Sequence, residues 1–216
     1  LDFERLIQQL MTCRFLLLSL FFLSINSLAQ DIPNADFESW DFNGWLYSPS
    51  EWTTENSQVI QVVYQDSAAY EGDLAMRVEY ASTGFSEEGH ASIEVPLSSV
   101  PYGLEFYAKY ERTSTCAVGV TVGFYSGETL VYSDSWNADA LSTEWAGESI
   151  IFDQVGPELT HALIDVWVFV GDDIPGDGWL SVDDMKFINP NGLAEPEGLV
   201  FGLYPNPVSQ GFLISF

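Results

Sequence analysis

The chain has 216 residues, with 32 acidic side chains against 6 basic ones and a formal charge of -26 at pH 7. That balance excludes a nucleic-acid binder working through phosphate contacts, which needs clustered Lys and Arg. Acidic disorder is excluded too, because it goes with few aromatics and low hydrophobicity, whereas this chain is 47% hydrophobic and 15% aromatic.

In chain order, the first Met is Met11. Arg14 precedes an apolar stretch from Phe15 to Leu23, and Ser27-Leu28-Ala29 sets small residues before a cut. This pattern predicts a secretory signal peptide over 11–29, a signal helix whose apolar part is too short to span a membrane. Residues 1–10 then read as an upstream extension, and no transmembrane span is expected in the mature chain. Cleavage near Ala29 leaves the net charge unchanged, since two acids and two bases leave together. One cysteine remains, Cys116, so no intramolecular disulfide is expected.

From 30 to 188 the sequence reads as one domain without a long amphipathic helix. Runs of period-two alternation, separated by Gly, Pro, Ser, Asn and Asp, predict strands over 34–40, 58–65, 73–80, 90–96 and 102–111. Further strands are predicted over 116–126, 129–135, 148–154, 160–170 and 179–188. The expected class is all-β, an antiparallel sandwich of two sheets. Residues 189–202, with two prolines and three glycines, read as a linker. Residues 203–216 follow, where Tyr204-Pro205-Asn206-Pro207 forms a stiff extended turn and a short apolar strand comes after Gly211.

Alternation divides the better strands into two faces. In 102–111, Leu104, Phe106, Ala108 and Tyr110 face one way and Glu105, Tyr107 and Lys109 the other. In 116–126, Val118, Val120, Val122 and Phe124 are expected in the core, with Gly119, Thr121, Gly123 and Tyr125 outward. In 160–170 the aliphatic row Ala162, Ile164, Val166, Val168 and Val170 opposes Leu163, Asp165, Trp167 and Phe169. A face mixing aromatics with carboxylates suits sugar, because rings stack on pyranose faces while carboxylates bond the hydroxyls. The other reading is that a loop or the second sheet covers these aromatics. On the sugar reading, Trp167, Tyr107 and Tyr125 stack, and Asp165 and Glu105 are the hydrogen-bond partners. In the closing strand, Asp183 shares a face with Met185 and Phe187, so its carboxylate must be hydrogen-bonded or hold a cation.

Two resemblances add to this. Leu203 to Phe216 resembles the opening of the C-terminal sorting domain of the type IX secretion system, on Tyr204, Pro205, Asn206, Pro207 and Gly211. Such domains usually continue for several more strands, so the resemblance implies a truncated copy. It implies the secretion machinery as a partner, and delivery to the outer-membrane surface or medium of a Bacteroidetes-type Gram-negative cell. The second covers 32–188. Ile32-Pro33-Asn34-Ala35-Asp36-Phe37-Glu38, then Tyr70-Glu71-Gly72-Asp73, then Gly178-Trp179 with Asp183-Asp184, is similar to the galactose-binding-like jelly rolls. These include carbohydrate-binding modules of families four, nine and twenty-two and the carbohydrate metabolism domain of Bacteroidetes. That resemblance implies a jelly roll, a polysaccharide or glycan partner and a structural calcium. By position, the calcium would fall to Asp36 or Glu38, the carbonyls around Glu71 and Gly72, and Asp183. Ala35 stands where the family usually has Gly.

No nucleophile elbow, phosphate loop or zinc spacing is present. The only histidines, His90 and His161, have no motif-level partner. Glycoside hydrolysis needs only two carboxylates, but no acid pair sits in a recognisable hydrolase pattern. The acidic loop 171–178 lacks the spacing of a helix-loop-helix calcium site and reads as a solvated turn. The function expected is therefore a non-catalytic, exported carbohydrate-binding module. A structural or adhesive surface module without glycan binding is the alternative, and a glycan-active hydrolase comes third.

Overall fold

The computed structural model of the protein describes residues 31–188, apart from 83–85, 140, 154–155, 157 and 171–176. The upstream extension, the signal peptide, the linker and the sorting segment all lie outside the described residues.

The long strands are rich in β-branched and aromatic residues, which suit a pleated, half-buried surface. They pair into two five-stranded antiparallel sheets. The first contains β3 (Thr53–Thr54), β8 (Gly89–Pro96), β10 (Cys116–Ser126), β11 (Thr129–Asn137) and β13 (His161–Val170), in the order β11-β10-β13-β8-β3. The second contains β4 (Val63–Asp66), β5 (Ala75–Glu79), β9 (Gly103–Arg112), β12 (Ser142–Ile151) and β14 (Gly178–Ile188), in the order β12-β9-β14-β5-β4. Two small hairpins stand apart, β1 (Trp40–Phe42) with β2 (Tyr47–Pro49), and β6 (Ala81–Ser82) with β7 (Ser86–Glu87).

The core lies between the sheets. Val118, Val120, Val122 and Phe124 of β10 and Ala162, Ile164, Val166 and Val168 of β13 are buried with Leu104, Phe106 and Ala108 of β9 and Leu180 and Val182 of β14. Burying each large apolar side chain contributes about 1.5–3 kcal/mol. The faces expected on 102–111, 116–126 and 160–170 are therefore the observed ones.

Three expectations are corrected. Residues 34–40 are not a strand: they turn over 33–36 and reach β1 only at Trp40. Asn34 is the cause. Its Oδ1 accepts the Ser39 N–H at 3.0 Å, and its Nδ2 donates to the carbonyls of Ser39 and Ser50 at 2.9 and 3.2 Å. These bonds replace those of a ladder. Phe37 takes φ 50°, costly for a bulky residue, and is held there by complete burial against Trp52, ring centroids 5.2 Å apart.

The strand expected over 148–154 is β12, which starts at Ser142 and pairs with β9 through a register shift between Ser142 and Ala146.

The third correction concerns Asp183. A β-bulge between Asp183 and Lys186, with Asp184 at φ 46°, flips the parity of β14. Asp183 stands opposite Tyr107 on the outer face, beyond Ser181, while Met185 and Phe187 still point into the core.

Candidate functional site

The outer face of the first sheet carries part-exposed aromatic and polar groups from β8, β10 and β13. Trp167 of β13 lies between Gly119 of β10 and His90 of β8. A Cβ on Gly119 would come within 2.6 Å of the Trp167 ring, so the indole lies across bare backbone. Its Nε1 donates to Thr121 Oγ1 at 2.9 Å. One ring face is thereby packed, the in-plane orientation is fixed, and Trp167 remains half-buried. Phe169 follows on the same row, 40% exposed. At the other end, Tyr125 stacks on His161 with centroids 4.9 Å apart and planes within 5°. Tyr125 is opposite His161 in the ladder, about 20 Å from Trp167 at roughly 3.4 Å per residue.

Between them, Asp165 Oδ1 lies 3.0 Å from His90 Nε2, and Glu55 Oε1 lies 3.8 Å from His90 Nδ1. The hydrogen bond to Asp165 raises the His90 pKa above its ordinary value, burial opposes this, and the charges of Asp165 and Glu55 add to it. The imidazole and carboxylate hold each other while the second Asp165 oxygen remains an acceptor.

The remaining sugar candidates, Tyr107 and Glu105, are on β9 in the opposite sheet and do not share this face. Tyr70 stacks on Tyr107 with centroids 3.4 Å apart, and Trp145 meets Tyr70 edge-on at 6.3 Å. The exposed ring here is Tyr70, 43% exposed, which alternation on β9 did not point to. Glu105 lies 3.7 Å from Lys186 and lines a 300 Å³ recess with Tyr107, Gly147, Glu148 and Asp184. Deeper on this face, buried Lys109 pairs with Asp66 at 3.0 Å and donates to the Ala68 carbonyl at 2.7 Å. Ser181 donates to the same Asp66 oxygen at 2.7 Å. Burial pushes Asp66 up, but the bonds from Ser181, Ala68 and Lys109 leave it below its ordinary value.

Beside this network the calcium candidates gather around the loop 70–74. Asp183, 1% exposed, accepts N–H bonds from Tyr70 and Glu71 on Oδ2 and from Asp184 on Oδ1. Burial raises its pKa, against those three bonds. Glu38 Oε1 accepts the N–H groups of Asp73 and Leu74 at 2.6 and 3.0 Å. Gly72, at φ +73°, admits this, since a Cβ there would collide with Glu38 Oε1. Asp36 is exposed and only approaches the Glu38 N–H, at 3.5 Å. Calcium takes six to eight oxygen ligands, whereas these carboxylates face N–H donors. Among the described residues no three Asp, Glu, His or Cys side chains converge.

No protein-family model and no curated protein matches the sequence. Solved structures of similar fold include TmCBM61 in complex with β-1,4-galactotriose, at 19% identity, covering 76% of this chain and 99% of that one, TM-score 0.48. A family 16 carbohydrate-binding module follows at 12%, 59% and 86%, TM-score 0.41. An apo cyclase from Fischerella sp. gives 12%, 74% and 95%, TM-score 0.44. The chain is thus distantly similar in fold to carbohydrate-binding modules and to other β-sandwich proteins.

Proposed function

We propose that this protein is a non-catalytic carbohydrate-binding module of jelly-roll type, which takes a glycan on the outer face of its first sheet. Trp167 is the stacking ring, Asp165 the hydrogen-bond acceptor beside it, and Tyr125 a second ring further along the strand. The observation that carries this reading is the Trp167 indole lying on Gly119 with its N–H held by Thr121. A ring fixed in this way loses little rotamer freedom on binding a sugar. The export component, through a type IX route to the cell surface or medium, is supported by the resemblance of Tyr204 to Pro207 and Gly211 and by the leader pattern over 11–29.

The test is affinity electrophoresis of the purified protein against a panel of plant, algal and host polysaccharides. Retardation on at least one glycan, weakened in Trp167→Ala when both proteins are run below their melting temperatures, is expected. Equal mobility of both proteins on every glycan overturns the sheet-face site.

A further inference from the structure

The β1–β2 hairpin reaches the core through Trp40 and buried Pro49, but its tip does not. It forms its own two-stranded sheet, and its tip places Phe42, Trp45 and Tyr47 in solvent, Trp45 at 68% exposure. Exposing three aromatics costs solubility and returns no core burial, so such a patch marks a contact surface. The tip is also held in shape. Asn43 Oδ1 accepts the N–H groups of Trp45 and Leu46, each at 3.0 Å, and Asn43 N–H donates to the Leu46 carbonyl at 3.2 Å. Asn56 ties the hairpin to the neighbouring loop: its amide donates to the carbonyls of Tyr47 and Val63 and accepts from the N–H groups of Val62 and Val63.

Between hairpin and loop lies a recess of 500 Å³ lined by Asn43, Trp45, Asn56, Ser57 and Gln58. No charged side chain lines it. In a chain of net charge -26, residues 42–50 and 56–65 carry no charge at all, and the fold brings these two runs together. The Asn43 Nδ2, the Gln58 amide and the Trp45 Nε1 have no partner among the described residues, and they sit around the exposed indole. An amide both donates and accepts, as a sugar hydroxyl does, and an indole stacks on the apolar face of a pyranose. An anionic ligand would find no cation here, and a cationic ligand no carboxylate.

We propose that this recess is a second saccharide site, selective for a neutral sugar residue and separate from the face of the first sheet. It holds its ligand through Trp45 stacking and through hydrogen bonds from Gln58 and Asn43. Because it shares no residue with the Trp167 row, it stands or fails independently of that reading.

The test measures binding of the full chain and of Trp45→Ala, Gln58→Ala, Trp167→Ala and Trp45→Ala/Trp167→Ala to neutral glycans (galactan, xylan, β-glucan) and to polygalacturonate. Trp45→Ala is expected to weaken binding to a neutral glycan about tenfold in both the native and Trp167→Ala backgrounds, and Gln58→Ala about threefold. Melting temperatures should not move, since neither side chain is in the core. Polygalacturonate should be unaffected by either substitution. Unchanged affinity for every neutral glycan in Trp45→Ala overturns the site. So does a Trp45-dependent dimer in sedimentation, or Trp45-dependent binding to neutral lipid vesicles, either of which would assign the aromatics to another occupant.

Discussion

The Trp167 indole rests on the bare backbone of Gly119, one strand away, at a distance that leaves no room for a methyl group. This pairing of a large ring with an absent side chain makes the indole lie flat instead of standing up from the sheet. Gly119→Ala would push the ring outward and also meet the Trp136 carbonyl, at 2.6 Å. A stability loss of about 1–3 kcal/mol is expected from the crowding. Glycan retention should fall as far as in Trp167→Ala, measured by affinity electrophoresis below the melting temperature of both variants.

His90 sets a pH dependence. Its folded-state pKa is raised, chiefly by Asp165. The stability it contributes is therefore fully present below the unfolded value of about 6.5 and is lost as pH rises through the folded value. The melting temperature should fall over that window, and His90→Gln should flatten the profile, as read by thermal unfolding across pH. A profile in His90→Gln identical to that of the native chain would remove His90 as the cause.

Asp183 anchors the loop 70–74 through the N–H groups of Tyr70 and Glu71, and accepts a third from Asp184. Asp183→Ala would leave these donors unsatisfied at about 1% exposure, costing about 3 kcal/mol. For a domain of this size that lowers the melting temperature by about 6–12 °C. Asp183→Asn keeps an acceptor for Tyr70 and Glu71 and should lose less than half as much, measured by calorimetry.

Because Glu38 and Asp183 are turned to N–H donors, a chelator should leave the melting temperature unchanged. A fall on adding EDTA that is reversed by calcium would place a cation at this junction and displace the hydrogen-bonded arrangement.

Lys109 and Asp66 form a buried pair on the second sheet. Lys109→Met removes the cation and leaves a shielded carboxylate, at a cost of about 3–5 kcal/mol. Lys109→Met with Asp66→Asn should recover part of the loss in a double-mutant cycle by chemical denaturation.

Much of the sandwich was legible in the sequence, and the reasons differ from strand to strand. On β9, β10 and β13, unbroken alternation assigned Leu104, Val120 and Val166 to the core and Asp165 and Trp167 to the outside. Alternation also turns Tyr107 and Glu105 outward, but it does not say which sheet a strand joins, and β9 lies in the sheet opposite Trp167. Alternation puts Asp183 inward because a period of two cannot count the one residue that the bulge adds. His90 had no visible partner because Asp165 is 75 positions away. The turn at Asn34 was hidden for another reason: its side chain competes with a ladder that the apolar pattern alone would favour.

The acidity, the aromatic content and the period-two spacing by themselves determined an acidic, aromatic-rich β-sandwich. They did so because burial and pleating act residue by residue along the chain. Tertiary structure decided which rings are available. Tyr107 is covered by Tyr70 from a distant loop, Trp167 is laid flat by a glycine on a neighbouring strand, and the uncharged runs around Trp45 and Gln58 meet only when the hairpin folds back. Each outcome depends on contacts between residues far apart in sequence, and no local pattern carries that information.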